Sequence, residues 1–588
     1  MMTHGAVEGA RTSTLPELPR RWELRNAECD EAAVAALAAE LGLPLPLCRL
    51  LHLRGHGSVS ARLFLKPRLD QLHDPMLLAG VDAAVERIAR AVRAGERILV
   101  HGDYDVDGIC AAALYTRVLR SLGADVEPFV PHRLRDGYDL GHAGVRRAAE
   151  CGAALILTGD CGTVAHDAIE QATAHGIDVI ITDHHTPGDV LPPAVAVVNP
   201  NRADCAYPFK GLAGAGVAFK LCQALVSALG GDADALRWHL DLVALATVAD
   251  LAPLTGENRV LAHYGLRVLR ETRNPGLRAL LRRAGVNTNG PLGAGQVSHV
   301  LAPRVNAVGR LGAASRGLRL LLADDEAEAG ALADEMDAEN RTRQAVDRAM
   351  LAEAVAMLED RFDPATDYGI VLSSPDWHPG VIGIVASRVV ECVHRPVVLI
   401  AEDPGTGRGR GSARSIPAFD LYGGIHACAP LLERYGGHRQ AAGMDIRLDR
   451  IAEFRDAFNR HARAVLTPAD LVGEVRIDLE IELGDANADL YRMMRHCGPF
   501  GIGNPQPVFV ARGVTVLDRR EVGGGQHVRM VLARGEARLP AIGFRMAERL
   551  RGMGADAGRM DAAFQLQQDE WNGRERLQAR LVDVRIAE

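Results

Sequence analysis

Seven consecutive residues, His101-Gly102-Asp103-Tyr104-Asp105-Val106-Asp107, carry one imidazole and three carboxylates directly after the apolar run Ile98-Leu99-Val100. Two carboxylates held about 4 Å apart repel by roughly 4 kcal/mol at an effective dielectric of about 20. Three at alternate positions therefore lose protons, splay apart, or hold a cation among them. The ordinary alternative is a solvated acidic turn, since Asp and Gly108 are common turn formers. Three more stretches repeat the theme of an acid after an apolar run: Thr158-Gly159-Asp160-Cys161-Gly162, Thr182-Asp183-His184-His185-Thr186-Pro187, and Leu242 to Asp250. Singly, each Asp reads as well as a helix cap, and His-His as incidental. Recurring at the ends of successive elements, they form a ligand set of carboxylates and imidazoles without a thiolate motif. That set suits Mn²⁺ or Mg²⁺ better than structural Zn²⁺. It also exceeds the needs of one ion, which points to two ions sharing a bridging carboxylate, the clamp used for in-line attack on phosphorus.

The elements that must position these loops alternate. From Pro75 the pattern predicts a helix to Ala94, a strand Arg97–Val100, a helix to Leu122 and a strand Val126–Val130. A helix follows near Gly144–Glu150, then a strand Ala154–Leu157, a helix Ala165–His175, and strands Val179–Ile181 and Ala194–Val198. This is the rhythm of a parallel sheet covered on both faces, in which ligands bind beyond the carboxyl ends of the strands. The acidic stretches fall at those ends.

Length and composition set the frame. A chain of 588 residues needs several cores. It is 48% hydrophobic and 24% charged, with a net charge of −8, which disfavours a protein coated for indiscriminate nucleic-acid binding. No apolar run is long enough to span a bilayer, no membrane partner is expected, and Met1–Arg21 lacks the features of a leader. The ten Cys include no C-x-x-C pair, so a reduced, cytoplasmic protein is expected.

The ordered set His-x-x-x-Asp-x-Asp, strand-Gly-Asp, Asp-His-His and Val-Ala-Asp resembles the DHH phosphoesterase superfamily. With Phe64-Leu65-x-Pro67 and Gly102-Asp103-Tyr104-Asp105-Val106-Asp107-Gly108, the chain is similar to RecJ-type single-stranded-DNA exonucleases from Phe64 onward. The resemblance implies His101 and Asp105 as ligands of a first metal, Asp107, His184 and Asp250 as ligands of a second, and Asp160 as the bridge. It implies Asp183 as an orienting group and His185 as a donor to the scissile phosphate. Asp103 has no ligand counterpart in the wider superfamily and is placed behind the ligands. Leu301-Ala302-Pro303-Arg304-Val305-Asn306-Ala307-Val308-Gly309-Arg310 resembles the exonuclease signature, in which Arg304 and Asn306 contact a phosphate; the alternative is arginines capping a loop. Arg133, near Asp136-Gly137-Tyr138, is placed to meet a terminal phosphate.

Asp325–Arg361 is one long helical pattern, either a surface helix or a bridge, and a new αβ pattern starting at Tyr368 favours the bridge. Beyond it lie Ser387-Arg388, the Arg-Gly run Gly407–Ser415 and Gly436-Gly437-His438-Arg439-Gln440-Ala441-Ala442-Gly443. Glycines admit phosphate to the backbone and arginines supply donors, although a flexible polar loop has the same composition. The last stretch resembles the signature of the DHH-associated domain, with His438 reaching the cleft and Ser412 and Arg414 forming a pocket for a 5′ phosphate. Past Leu471 the pattern turns strand-rich: Val475–Leu483, Val508–Leu517, His527–Leu532, Leu539–Phe544, and a hairpin turning at Asn572-Gly573. This predicts a small OB-like barrel, with Phe509, Phe544, Phe564 and Trp571 as candidate stacking platforms against the alternative of core residues.

The expected class is thus α/β: a parallel-sheet DHH domain (76–324, after an extension 1–75), a connecting helix (325–361), a second α/β, DHH-associated domain (362–468) and an OB-like barrel (469–588). The expected function is a two-metal 5′→3′ exonuclease, degrading single-stranded DNA to mononucleotides in repair and recombination with a helicase and a single-strand-binding protein as partners. A DHH phosphodiesterase for short oligonucleotides or cyclic dinucleotides, and a non-catalytic replication scaffold, are the alternatives.

Overall fold

The computed structural model describes residues 18–25, 29–133, 135–137, 139–311, 314–553, 559–571 and 574–587. The chain divides into two compact units. One comprises Val59–Arg341 and Met494–Gln506; the other comprises Met1–Ser58, Thr342–Met493 and Pro507–Glu588. The long helix Glu326–Arg361 is continuous, and the division falls within it. The domain limits drawn from sequence therefore differ from the units: the extension is split at Ser58, and a short piece of the C-terminal region packs with the first unit.

The first unit is built on five parallel strands in the order Asp125–Phe129, Arg97–Gly102, Leu155–Gly159, Asp178–Thr182, Ala196–Val198. Strand order reverses beside Arg97–Gly102, so the crevice between its carboxyl end and that of Leu155–Gly159 is a topological switch point. Strict alternation explains the burial of both faces. Ile98 and Val100 join a core with the helices Val81–Ala94 and Val106–Ser121, while Leu99 joins a second core with Val145, Ala148 and Ile169. Close approach of helix to sheet requires glycine: a Cβ on Gly102 would lie 2.3 Å from the Gly108 carbonyl oxygen. The Val-Ala-Asp stretch, for which period alone allowed helix or strand, is the helix Leu240–Ala249 with Asp250 at its C-terminal cap. The Pro-Arg-x-Asn stretch is the helix Ala302–Leu311, continuing directly from the π-helical turn Val297–Leu301, rather than a loop.

The second unit holds a five-stranded mixed sheet, in the order Arg434–Gly437, Ala441–Arg447, Arg408–Arg414, Val397–Asp403, Ile370–Ser374. It also holds a barrel made of Phe509–Val522, His527–Arg534, Ala537–Gly543, Arg574–Ile586 and Met560–Trp571, closed by pairing of the first with the last. The expected strand Val475–Leu483 is broken at Asp478. Gly473–Ile477 pairs in parallel with Arg20–Leu24, while Leu479–Glu480 joins the barrel; the Asp478 carboxylate accepts the Val508 amide between them at 2.9 Å. Asn572 and Gly573 lie outside the described residues, between the paired strands Met560–Trp571 and Arg574–Ile586. All ten cysteines are free thiols. No single helix among the described residues is long and apolar enough to cross a membrane.

Candidate metal centre

The loops leaving the parallel strands converge. Ligand atoms of Asp103, Asp105 and Asp160 lie within 4.8 Å of one another, as do those of Asp107, His184 and Asp250, and those of Asp160, His184 and His185. His184 Nε2 is 3.0 Å from Asp160 and 3.8 Å from both Asp107 and Asp250. Asp160 therefore stands where the two sets meet.

One expected ligand is not in this cluster. Alternation along Arg97–Gly102 sends His101 to the face of Leu99, where its ring packs 5.4 Å from Phe129 and under the helix His142–Cys151. A Cβ on Gly144 would lie 2.5 Å from the ring, and burial holds its pKa at about 4, so the imidazole is neutral. Asp103, just past the strand, occupies the cluster instead of standing behind it. The first set that could hold a cation is thus Asp103, Asp105 and Asp160: His101 is still within the strand, under a helix, whereas Asp103 lies beyond the strand's last residue, Gly102.

Local structure fixes each group. Asp105 is a helix cap as well as a cluster member, accepting the Asp107 and Gly108 amides at 2.9 and 3.2 Å. Asp107 is buried and accepts the amides of Gly214 and Ala215, both at 2.7 Å, at the start of the helix Gly214–Leu229. Asp160 has a left-handed φ of 68°, an uncommon conformation that Asp tolerates and that clusters at functional sites. A Cβ on Gly214 would lie 2.5 Å from the Asp160 side chain. Asp183 accepts the Thr163 amide at 3.0 Å and the His184 amide at 2.7 Å, while Asn199 and Asn201 donate to the carbonyls of His185 and His184. Gly214, Ala215, Thr163, Asn199 and Asn201 had no signal in the motifs, because they act through backbone amides or from distant parts of the chain. The small-residue run Leu212–Gly216 was the one visible hint.

The electrostatics fit cations. Burial, reinforced by neighbouring carboxylates, raises Asp103 and Asp160 well above the usual range and lifts Asp250 to about 8; burial also raises Asp107. Asp103 Oδ1, Asp160 Oδ1 and His184 Nε2 are buried and make no hydrogen bond, which leaves their lone pairs to a cation. The residues of this set would suit divalent ions such as Mn²⁺ or Mg²⁺ in charge and donor type. His185 is different. Burial alone would raise Asp183 and lower His185, but the 2.7 Å bond from His185 Nδ1 outweighs it, holding Asp183 at about 2 and His185 at about 9.

The expected phosphate contacts divide. Arg133 lies over the Tyr104 ring at 4.9 Å and acts electrostatically on Asp103, at the edge of the cluster. Arg304 is instead committed to Asp337 at 3.0 Å and to the Val300 carbonyl, and Asn306 accepts the Val106 amide at 3.3 Å. Asn306 therefore holds the acidic stretch directly, while Arg304 ties its own helix to the helix Glu326–Arg361. In the other unit, Arg414 donates to Ser412 Oγ at 3.2 Å, and the pair packs on Gly383 at the start of the helix Ile382–Val393. Gly383 had not been singled out; there a Cβ would lie 2.9 Å from Ser412 Oγ. His438 is exposed in the turn following Arg434–Gly437. Among the candidate platforms, Phe509 and Phe564 are fully buried core residues, whereas Phe544 is 41% exposed beside His527 and Arg580. Tyr138 and the side chains of Arg310 and Trp571 lie outside the described residues.

Comparison with known proteins agrees with this layout. Residues 97–247 match the DHH family N-terminal domain, 366–464 the DHHA1 domain and 477–583 the RecJ OB domain. The chain is 36% identical over 570 residues to the single-stranded-DNA-specific exonuclease RecJ of Bacillus subtilis, spanning 97% of this chain and 71% of the relative. It is 38% identical over 527 residues to that of Escherichia coli, spanning 87% and 89%. Crystal structures of RecJ from Thermus thermophilus in complex with Mn²⁺ and with Mg²⁺ superimpose with TM-scores of 0.83 and 0.78. They are 34% and 33% identical, cover 97% of this chain in each case, and are themselves covered to 80% and 79%.

Proposed function

The chain belongs to the RecJ family, and on that premise we propose that it is a single-stranded-DNA-specific exonuclease that works 5′→3′ with two Mn²⁺ or Mg²⁺ ions. The observation that carries the reading is the position of Asp160 between two sets of ligands at the switch point of the sheet. When bound, the ions neutralise charge on the phosphoryl oxygens and activate water. Asp107 is pre-oriented for this by the Gly214 and Ala215 amides. Asp183 holds the His185 ring by Nδ1, so a protonated His185 donates from Nε2 to an oxygen of the scissile phosphate. Water adds to phosphorus, the bond to the leaving 3′ oxygen breaks, and a nucleotide is released. Ser412 and Arg414 recognise a terminal phosphate, and Phe544 with Arg580 offers the barrel a stacking position for a base.

Matches across the DHH, DHHA1 and OB regions support a long-strand exonuclease over an enzyme for short oligonucleotides or cyclic dinucleotides. A complete ligand set supports an enzyme over a scaffold. Action in repair and recombination, in the cytoplasm, beside a helicase and a single-strand-binding protein, completes the proposal. The test is digestion of strands labelled at either end, with Mn²⁺ or Mg²⁺, with and without a 5′ phosphate. Early release of the 5′ label supports the reading; early release of the 3′ label, or equal rates on blunt duplex, overturns it.

A further inference from the structure

Asp250 ends the helix Leu240–Ala249, and its position depends on the turn that follows. That turn is held from outside. Leu251 has a left-handed φ of 60°, the Leu254 amide donates to the Ile502 carbonyl at 2.7 Å, and Asn258 Nδ2 donates to the Pro253 carbonyl at 3.1 Å. Residues 498–504 lie flat against it. A Cβ on Gly501 would be 2.7 Å from Leu254 Cδ1, and one on Gly503 would be 3.1 Å from Pro253 and 3.2 Å from Thr255. The segment is closed on itself by paired Gly501 and Asn504 amides and carbonyls, and by Asn504 Nδ2 donating to the carbonyls of Cys497 and Pro499, both at 2.9 Å.

What fastens this segment is Arg259, in the helix Gly256–Arg270 that starts just after the turn. Only 3% exposed, its guanidinium donates to the carbonyls of Phe64 and His496 at 2.7 and 2.9 Å and to that of Gly498, and lies 4.0 Å over the Phe64 ring. Burying a cation on carbonyls alone is costly. Arg is suited to it because one planar group reaches several acceptors in fixed directions. The contacts join three stretches distant in sequence around the turn that carries a candidate ligand.

We propose that Arg259 and the 498–504 segment form a brace that sets Asp250, making Arg259 a positioning residue for the ion that Asp250 holds. The inference rests on reading Asp250 as a ligand. It is tested on the metal-free full-length protein by Mn²⁺ titration, following free Mn²⁺ by electron paramagnetic resonance, and by hydrogen exchange before metal is added. Asp250→Ala should weaken one of two Mn²⁺ ions by about a hundredfold or more. Arg259→Met and Asn504→Ala should weaken the same ion by about tenfold, leaving the other unchanged. Without metal, the amides of 251–255 should exchange about tenfold faster in both.

Arg395→Met serves as the control for general destabilisation, because Arg395 is likewise buried on backbone carbonyls, but in the other unit. Its Mn²⁺ binding should be unchanged. Wild-type Mn²⁺ binding in both brace variants, or equal weakening in Arg395→Met, overturns the brace; if Arg259→Met does not fold, Asn504→Ala decides. Two ions retained at wild-type affinity in Asp250→Ala would instead overturn the ligand reading, and the brace with it.

Discussion

The acidic loops of the first unit and the Arg-Gly strand of the second use glycine for opposite ends. In the acidic cluster, glycines at 102, 108 and 214 let backbone and carboxylates approach so closely that buried charges of one sign are forced together. In Arg408–Arg414 the glycines face inward. Gly409 and Gly411 alternate with exposed Arg408 and Arg410, and Cβ atoms there would lie 2.7 Å from Ile400 and from Met444. This run is a regular strand, and its glycines make room for the sheet's own core rather than for phosphate. The cluster concentrates charge at loop ends, out of water, where a cation is needed. The strand spreads charge along a solvent face, where Arg408 pairs with Glu433 at 3.0 Å.

The sharpest way to break this contrast is Asp160→Ala. Loss of the shared carboxylate should reduce strand hydrolysis by about a thousandfold or more while strand binding persists, as measured by turnover beside fluorescence anisotropy. Normal turnover would remove Asp160 as the bridge. Gly214→Ala against Gly411→Ala compares the two uses of glycine directly. The first should abolish tight Mn²⁺ binding, whereas the second should cost about 1–3 kcal/mol in denaturant unfolding and leave Mn²⁺ binding intact. Reversed outcomes would defeat the comparison.

Arg414→Ala should raise KM about tenfold for 5′-phosphorylated strands and little for 5′-hydroxyl strands, read from steady-state kinetics on both. Equal effects on the two substrates would detach Arg414 from the terminal phosphate. The smallest effect concerns pH. Burial depresses His239 to about 4, so it is neutral in the folded chain and titrates near its ordinary value when unfolded. A depressed His contributes stability that is present above about pH 6.5 and lost as pH falls towards 4. The loss is at most about 1.4 kcal/mol for each pH unit crossed between those limits. His239→Gln should reduce the slope of denaturation midpoint against pH across that window, leaving the share due to His101 and His263; an unchanged slope would refute the assignment.

Much of the site was legible because its acids sit immediately after strands that announce themselves. Ile98, Leu99 and Val100 locate the strand, and Asp105, Asp107, Asp160, His184 and Asp250 follow from where such strands and helices end. His101 reads as a ligand because a motif records spacing along the chain and not what packs over the strand. Asp103 has the same parity as His101, so alternation alone does not separate them; what does is that the strand ends at Gly102. The pairing of Arg304 with Asp337 was not visible because Asp337 lies 33 residues away on another helix. The Arg-Gly run reads as a phosphate site or a polar loop and not as the strand it is, because glycine lowers strand propensity.

The sequence by itself determined the αβ order, the convergence of acids at one sheet edge, the choice of hard divalent ions, and the strand-rich C-terminal region. These follow from local period and from the chemistry of residue types. Tertiary structure alone decided which of His101 and Asp103 joins the cluster, that Gly214 and Ala215 hold Asp107, and that residues 498–504 and Arg259 brace the turn after Asp250. The last two are contacts between segments far apart in the chain, in which one partner is a backbone atom every residue possesses, and the first turns on where a strand ends; residue types alone do not announce either.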